Sequence, residues 1–551
     1  MIATGDIEES PSLTSTPNPE SSSNRYARFQ PFCLATLAGV LVLATLGGPG
    51  ITVDEPLDVR PGRTYVSTLL ARGFHFFDAR VVEQVFKDNA EHPPLGRWLL
   101  GIASTLGAPL EIALMGGADP LGLYLYAGRI APALCFAVLV GLVSRWGSSL
   151  HGPLGGGITG AALLLMPRVF AHAHLGALDT FVCLFWVLAL FLGARSLDPS
   201  SRARDSVFAG GALGLALLTK IHAWFLLPIL FSWAWFRIGL VRAIRWFLIW
   251  AGIGGLSFFV GWPWLWYDTV GRLRAYLGTG IDRVPIQVLY FGTVYLDREV
   301  PWHYPWVYFL ATVPTLLHVL GLVGLLQAWR DRQRRPELLL LGASILFFLL
   351  LFSSRVPVYD GERLFLVVFP LWSILIGGGF VTLWRAIGPR IWGRTLLALG
   401  LISQGYGLIV TYPFGLSYYN ALVGGLPGAE RLGLELTYWN DAVDPRLLQH
   451  LAARIEPGEM ACLVPTLYPG QGIASTTRLM NQQGLHLKDQ EVWKEADWLV
   501  VSRRSAYWPE SLEARLASGR ELARRSVQGV WISSIWHAPR PLLPEKTGRI
   551  R

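Results

Sequence analysis

With 551 residues, 52% of them hydrophobic and only 15% charged, 23 tryptophans and a mean hydropathy of +0.40, the chain is too apolar for a soluble protein of its length. Its formal charge of +9 does not make it a nucleic-acid binder, because the arginines and lysines gather in short segments between apolar runs, where orientation in a membrane places them. What remains is an α-helical polytopic membrane protein.

In chain order, segment 1–24 is acidic and rich in Ser and Pro. It lacks the basic start and early apolar core of a cleavable signal peptide, so 1–32 reads as a disordered cytoplasmic tail. Runs of about 17 to 25 apolar residues can cross a bilayer. Spans are predicted near 33–51, 123–144, 154–171, 177–194, 206–219, 221–236, 244–265, 305–328, 337–354, 363–384 and 395–412, about eleven in all. Alternation from a cytoplasmic tail puts Arg145, then Arg195, Arg202 and Arg204, then Arg237, Arg242 and Arg245, then Arg330 to Arg335, then Arg385, Arg390 and Arg394 on the inner side. This requires 95–108, LGRWLLGIASTLGA, to be an interfacial or re-entrant helix inside an extracytoplasmic loop 52–122. Residues 33–412 thus form the transmembrane module. Residues 413–551 have a soluble composition: DPRLLQHLAARI and PESLEARLASG carry helical spacing, and MACLVP, DWLVVS and GVWISSIW read as strands, which predicts a small extracytoplasmic α/β domain. Cys33, Cys135 and Cys183 in apolar runs and a lone Cys462 indicate neither a disulfide framework nor a cysteine metal site.

Asp54 and Glu55 follow directly on the first span, where a carboxylate leaving water needs a cation, a donor or a reacting proton to compensate it. The plain alternative is two solvated acids at a helix end. EHPPLGRW presents Glu91 and His92 from a stiff proline corner and continues into Arg97. In AHAHLGALDTFVCLFWVLALF, Asp179 tops an otherwise apolar helix whose own residues offer it no partner. His172 and His174 have metal-pair spacing, but without a defined third ligand they are unspecific. A divalent metal on Glu55, His172 and His174 is an option and not a requirement. Arg97, Arg129, Lys220, His222, Arg355 and Arg363 gather on the same extracytoplasmic face, with Tyr359 between the last two. Guanidinium groups grip phosphate oxygens through paired hydrogen bonds, so these cations suit a phosphate-bearing ligand arriving from the lipid, or else they snorkel to headgroups. After the last span, Tyr418, Tyr419, Asn420, Trp439, Asn440 and Asp441 offer flat surfaces and polar tips to a sugar acceptor, or form an aromatic belt at the membrane interface.

The order of first helix, DE, proline corner EHPPLGRW, Arg-containing second span and ALDTF resembles the GT-C membrane glycosyltransferases, particularly the protein O-mannosyltransferase and lipid A aminoarabinose transferase group, over roughly 50 to 230. The resemblance implies a GT-C-like catalytic module, a polyprenyl-phosphate-linked sugar donor, a hydroxyl-bearing acceptor (glycan, lipid or protein), transfer on the extracytoplasmic face and inversion at the anomeric carbon. Asp54 falls on the family's catalytic aspartate, Glu55 on its acidic neighbour, Asp179 on the second functional acid, and His92-Pro93-Pro94-Leu95 on the HPPL corner of the mannosyltransferases. PVYDGERLF and GLSYYNALVGG depart from the eukaryotic mannosyltransferase pattern, which leaves the acceptor open. The expected roles are a base for Asp54, orientation of hydroxyls for Glu55 and Asp179, and binding of the lipid phosphate by Lys220, Arg355 and Arg363 with His92 nearby. No cofactor is required. A bacterial plasma membrane is the expected location, with the endoplasmic reticulum second. The main rival is a transporter or lipid flippase, whose ionisable groups would continue through to the cytoplasmic face.

Overall fold

The computed structural model describes residues 19–87, 91–119, 121–279 and 284–538. Helix α1 (Pro19–Thr45) begins well before position 33, so part of the segment read as a tail is helical, while 1–18 lie outside the described residues. The loop that follows is built of helices α2 (Asp54–Arg72), α3 (Ala79–Phe86) and α4 (Leu95–Met115). α4 is longer than the 95–108 read from sequence, and by length and composition alone it could cross a bilayer. Arg97 at its start pairs with Asp58 of α2, and Glu111 near its end bonds Arg478 of the C-terminal domain. Both ends therefore lie at one face of the molecule, along which α4 runs.

A short α5 (Leu125–Gly128) leads into α6 (Ile130–Leu164), which reverses direction at Gly152 so that its two halves pack antiparallel, Gly147 against Thr159 and Gly156 against Ser144 and Ser148, and the halves match two of the predicted spans. The bend is at Gly152, whose φ of +82° suits glycine, followed by Pro153, which has no N–H to give the preceding turn. Arg145 lies in the first half of α6, short of this reversal, rather than in the turn itself. Next come α7 (Pro167–His172), α8 (Asp179–Arg195), α9 (Ala203–Leu217), α10 (Leu226–Ile238) and α11 (Leu240–Gly261), close to their predicted places. Loop 266–304 holds α12 (Thr269–Gly278) and a hairpin of β1 (Gln287–Tyr290) and β2 (Thr293–Leu296) that the sequence reading left unassigned. The span predicted at 305–328 is broken into α13 (Tyr304–Thr312) and α14 (Thr315–Arg330), which meet at 112°. Pro314 forces the residue before it into the extended region, and Val313 has ψ +134°. α15 (Glu337–Phe352), α16 (Val368–Ile387), α17 (Ile391–Ser403) and α18 (Tyr406–Thr411) complete the bundle.

Among the described residues, six helices are long and apolar enough to cross a membrane, or up to seven when the bent pair counts as one span. This is fewer than the predicted eleven, because several expected spans are short or bent helices and the two antiparallel halves of α6 count as one. The chain is nonetheless an integral membrane protein. α16 is its centre: 78% of its apolar window is buried, against 11% for 391–411, which lies at the periphery. Close packing there needs glycine. A Cβ on Gly379 would sit 1.8 Å from the carbonyl oxygen of Leu320 on α14, so the two backbones touch where a larger residue would hold them apart.

Residues 412–443, including α19 (Gly425–Arg431), pack into the bundle core rather than starting a separate domain. The α/β unit proper holds α20 (Pro445–Ala452), β3 (Ala461–Val464), α21 (Gln471–Ser475), α22 (Arg478–Gln482), β4 (Trp498–Ser502), α23 (Leu512–Ser518), β5 (Arg520–Val527) and β6 (Val530–His537). Its sheet has the order β3-β4-β6-β5, parallel between β3 and β4 and antiparallel elsewhere. α20 covers one face through Leu447, Leu448 and Leu451 and α23 the other through Leu512 and Leu516, which explains why β3 and β4 are apolar throughout. β5, RELARRSV, is a polar edge strand with no apolar alternation to give it away.

Candidate active site

The site gathers at the start of α2, where the first helical turn tolerates acids because its unpaired N–H groups favour negative charge. Asp54 and Asp58 stand four residues apart on one face of α2, while Glu55 points elsewhere. Arg363, in the loop before α16, is the hub. Its guanidinium bonds Asp54 through Nη2, Asp179 through Nε at 3.2 Å and Asp360 through Nη1 at 3.2 Å, and it lies 4.1 Å from the ring centroid of Trp439. Lys220 Nζ donates to the other oxygen of Asp179 at 2.7 Å. Arg97 Nε donates to Asp58 at 3.0 Å, and Arg504 donates to Asp360 at 2.9 Å. Deeper in, Arg168 donates to Glu362 at 2.7 Å, with His172 Nε2 3.6 Å from the other Glu362 oxygen. Each of these carboxylates thus has a cation beside it, as burial of charge demands.

Within this balanced cluster the exposures differ. The side chain of Asp54 is 21% exposed, against 7% for Asp58, 5% for Asp360, 2% for Asp179 and none for Glu362. Asp54 is the carboxylate that an incoming molecule can reach. Burial, with the nearby Asp54 charge, pushes Asp58 up to about 6 despite Arg97. Burial and the Arg97, Lys220 and Arg363 charges hold His92 well below the ordinary histidine range. Burial alone would raise Glu362, but Arg168 and His172 outweigh it and its carboxyl ends below the usual value.

The other sequence candidates separate clearly. Glu55 is fully buried and saturated: it accepts from Arg129 Nε at 2.6 Å and Nη2 at 2.8 Å, from the Thr52 N–H at 2.7 Å and from the Gly176 N–H at 2.8 Å. Arg129 also holds the carbonyls of Leu46, Pro49 and Gly50, so the pair fastens the end of α1 to the turn before α8. The ligand set of Glu55, His172 and His174 does not assemble either. His174 hydrogen-bonds Thr45 and the Phe170 carbonyl while His172 faces Glu362 and Trp439, so Glu55, His172 and His174 do not converge. No group of three potential ligands gathers among the described residues. His92 is half-buried with Nδ1 unbonded, and His222 is buried beside Phe352. Tyr359 is buried 5.8 Å from the Arg363 guanidinium. Arg355 is exposed and lines a separate open cavity with Arg298, Pro301 and Trp302, away from the cluster.

The acceptor-side residues are corrected most. Tyr418, Tyr419, Asn420, Trp439, Asn440 and Asp441 are all buried, neither offered to an acceptor nor placed in a membrane belt. Asn420 is spent on the carbonyls of Leu310 and Val313, where α13 leaves them unpaired, and Tyr419 on the carbonyl of Glu435. The backbone of Tyr418 accepts from Arg168. Trp439 touches the cluster through Arg363, and Tyr418 and Tyr419 touch its deeper part through Arg168. Asp58, Arg168, Asp360, Glu362 and Arg504 were missed. Arg168, Asp360 and Glu362 carry a visible signal, charge inside or beside apolar runs in MPRVFAHAH and VYDGERLF, whereas Asp58 sits in an ordinary polar helix. Arg504 carries none, since an arginine after a strand in a soluble-looking domain is ordinary.

No family model matches the sequence, and a search of curated proteins returns no match. Among solved structures, apo ArnT from Cupriavidus metallidurans superposes with a TM-score of 0.50 at 17% identity, over 92% of this chain and 97% of that one. The chain has the GT-C membrane glycosyltransferase fold. Two further GT-C structures give lower scores. ArnT bound to undecaprenyl phosphate gives a TM-score of 0.48 at 16% identity, over 92% and 97% of the two chains. The oligosaccharyltransferase AglB from Archaeoglobus fulgidus, in complex with an inhibitory peptide and a dolichol-phosphate, gives 0.43 at 12%, over 95% of this chain and 75% of that one. The GT-C fold here spans the bundle and the C-terminal domain together, and the charged cluster sits where these meet.

Proposed function

We propose that the protein is a glycosyltransferase that moves a sugar from a polyprenyl-phosphate carrier to a hydroxyl group of a glycan, lipid or protein acceptor, on the extracytoplasmic face of a bacterial plasma membrane and with inversion. The carrying observation is the accessible Asp54 next to Arg363, which also contacts the buried Asp179. In one displacement, an Asp54 oxygen takes the acceptor proton as the acceptor oxygen attacks the anomeric carbon. The bond from that carbon to the phosphate oxygen breaks and the lipid phosphate leaves with the electron pair. Arg363, which contacts the accessible Asp54, is the cation assigned to that phosphate, with Lys220 supporting it from behind through Asp179. A phosphate drawing Arg363 toward itself loosens the guanidinium's hold on Asp54, so donor binding and activation of the base go together. No step calls for a metal. Glu55 and Arg129 hold the turn that aims Asp54, and Arg168 with Glu362 supports the loop that carries Arg363.

Basic loops on the opposite side of the bundle support the orientation. The test is Asp54→Asn in reconstituted membranes with a radiolabelled polyprenyl-phosphate sugar. Insertion is expected to be unchanged and transfer to be lost, and transfer at the wild-type rate would reject the assignment.

A further inference from the structure

A cleft of about 430 Å³ opens on the C-terminal domain, between the loop after β4, α23, β5 and β6. Trp508, Trp531 and Trp536 line it together with Arg503, Glu513 and Arg524. All three tryptophans are partly buried against the domain core and partly open to solvent. They are also fixed in place: Trp508 Nε1 donates to the Ser502 carbonyl at 2.9 Å and Trp536 Nε1 to Ser534 Oγ at 2.7 Å. The Trp508 and Trp531 rings lie 22° from parallel with centroids 5.9 Å apart, and the Arg503 guanidinium is 4.8 Å from the Trp531 centroid.

The rim charges cancel locally. Arg503 pairs with Glu430 at 2.6 Å and Arg524 with Glu521, so no surplus cation waits for a phosphate or a nucleic acid. Glu513 is exposed and has no polar partner among the described residues. Oriented indoles beside a free carboxylate and paired guanidiniums suit a neutral pyranose, whose C–H face stacks on an aromatic ring while its hydroxyls bond the rim. The position fits as well. Arg503 lines the cleft, while the next residue, Arg504, reaches Asp360 in the charged cluster.

We infer that this cleft is a carbohydrate-binding subsite that holds sugar units of the acceptor some distance from the hydroxyl being glycosylated. The inference rests on the transferase reading for its purpose, but not for the binding itself. The test is calorimetric titration of the full-length protein in nanodiscs with linear tetrasaccharides of mannose, glucose, N-acetylglucosamine and galactose. At least one is expected to bind at about 1 mM or tighter. Trp531→Ala is expected to weaken that binding about tenfold or more, and the exposed Glu513→Gln, which leaves the fold intact, about threefold or more. Asp54→Asn is expected to leave it unchanged. Binding by none of the four, or binding that both cleft variants retain at full strength, overturns the subsite. Binding lost in the cleft variants while the wild-type protein transfers no sugar from any polyprenyl-phosphate donor would instead overturn the transferase reading and leave the cleft standing.

Discussion

Arg504 of the C-terminal domain donates a hydrogen bond at 2.9 Å to Asp360, the residue that also accepts from Arg363 of the bundle. A second Arg504 nitrogen holds the carbonyl of Tyr438, next to the Trp439 ring that lies against Arg363. The domain is therefore part of the site's framework rather than an appendage. Both partners are buried, so the contact is shielded from salt and water.

Removing Arg504 leaves Asp360 to draw on Arg363 alone, pulling the guanidinium away from Asp54 and the donor phosphate. Arg504→Ala is expected to lower kcat/KM for the lipid-linked donor about tenfold or more, mostly through KM, with partial recovery in Arg504→Lys. Steady-state kinetics on protein matched for membrane content check this. Unchanged KM and kcat would detach the domain from the site.

Asp179 and Lys220 form a buried pair with almost no access to water. Lys220→Met leaves the carboxylate to Arg363 alone and is expected to cost about 3–5 kcal/mol of stability, whereas Asp179→Asn with Lys220→Met removes both charges and costs less than the two single changes added together. Apparent melting temperatures in detergent measure the coupling. Strict additivity would mean that the pair does not matter energetically.

Asp54, Asp179, Lys220 and Arg363 could be singled out from sequence because a charge inside an apolar run must have a reason to be there. The same logic applied to Arg168 and to Asp360 and Glu362, but these read as parts of loops or helix ends, and their partners come from segments hundreds of residues away. Glu55 shows the opposite failure. Its sequence setting is the same as that of Asp54, and only the helix's rotation of about 100° per residue turns one acid toward the cavity and the other into the protein. The aromatic stretch at 418–441 misled because exposure cannot be read from residue type once a loop is pressed onto helix ends that need its hydrogen bonds. The strands β3 and β4 were legible from continuous apolar runs and β6 from its Val, Trp and Ile content, and β5 was not, for want of either.

The neighbours Asp54 and Glu55 should therefore respond differently to the same change. Glu55→Gln replaces an oxygen by a donor in a pocket where the Arg129 guanidinium and two backbone N–H groups all need acceptors, and it leaves Arg129 buried without a counter-charge. A fall in apparent melting temperature equivalent to about 3 kcal/mol or more is expected. Asp54→Asn should leave the melting temperature nearly unchanged while abolishing transfer. Equal melting temperatures for the two variants would contradict the division of labour between them.

Glu435 supplies a pH test of the junction between bundle and domain. Burial pushes its carboxyl from the ordinary 4.5 up to about 8, in opposition to the Arg504 charge, while its oxygen accepts from the Ser505 N–H at 3.0 Å. The folded protein holds this proton where the unfolded chain has lost it. Its contribution is therefore complete below about 4.5, declines as the pH rises, and is gone once the pH passes about 8. Asp58 and Asp441, pushed up to about 6, shed their protons earlier, so the upper part of the range belongs to Glu435. The apparent melting temperature should fall from about pH 7 toward 8 in the wild type and stay flatter in Glu435→Gln, whose amide oxygen keeps the bond from Ser505. Parallel curves for the two proteins over that interval would show that the Glu435 carboxyl is ionised in the folded state at neutral pH, balanced in full by Arg504.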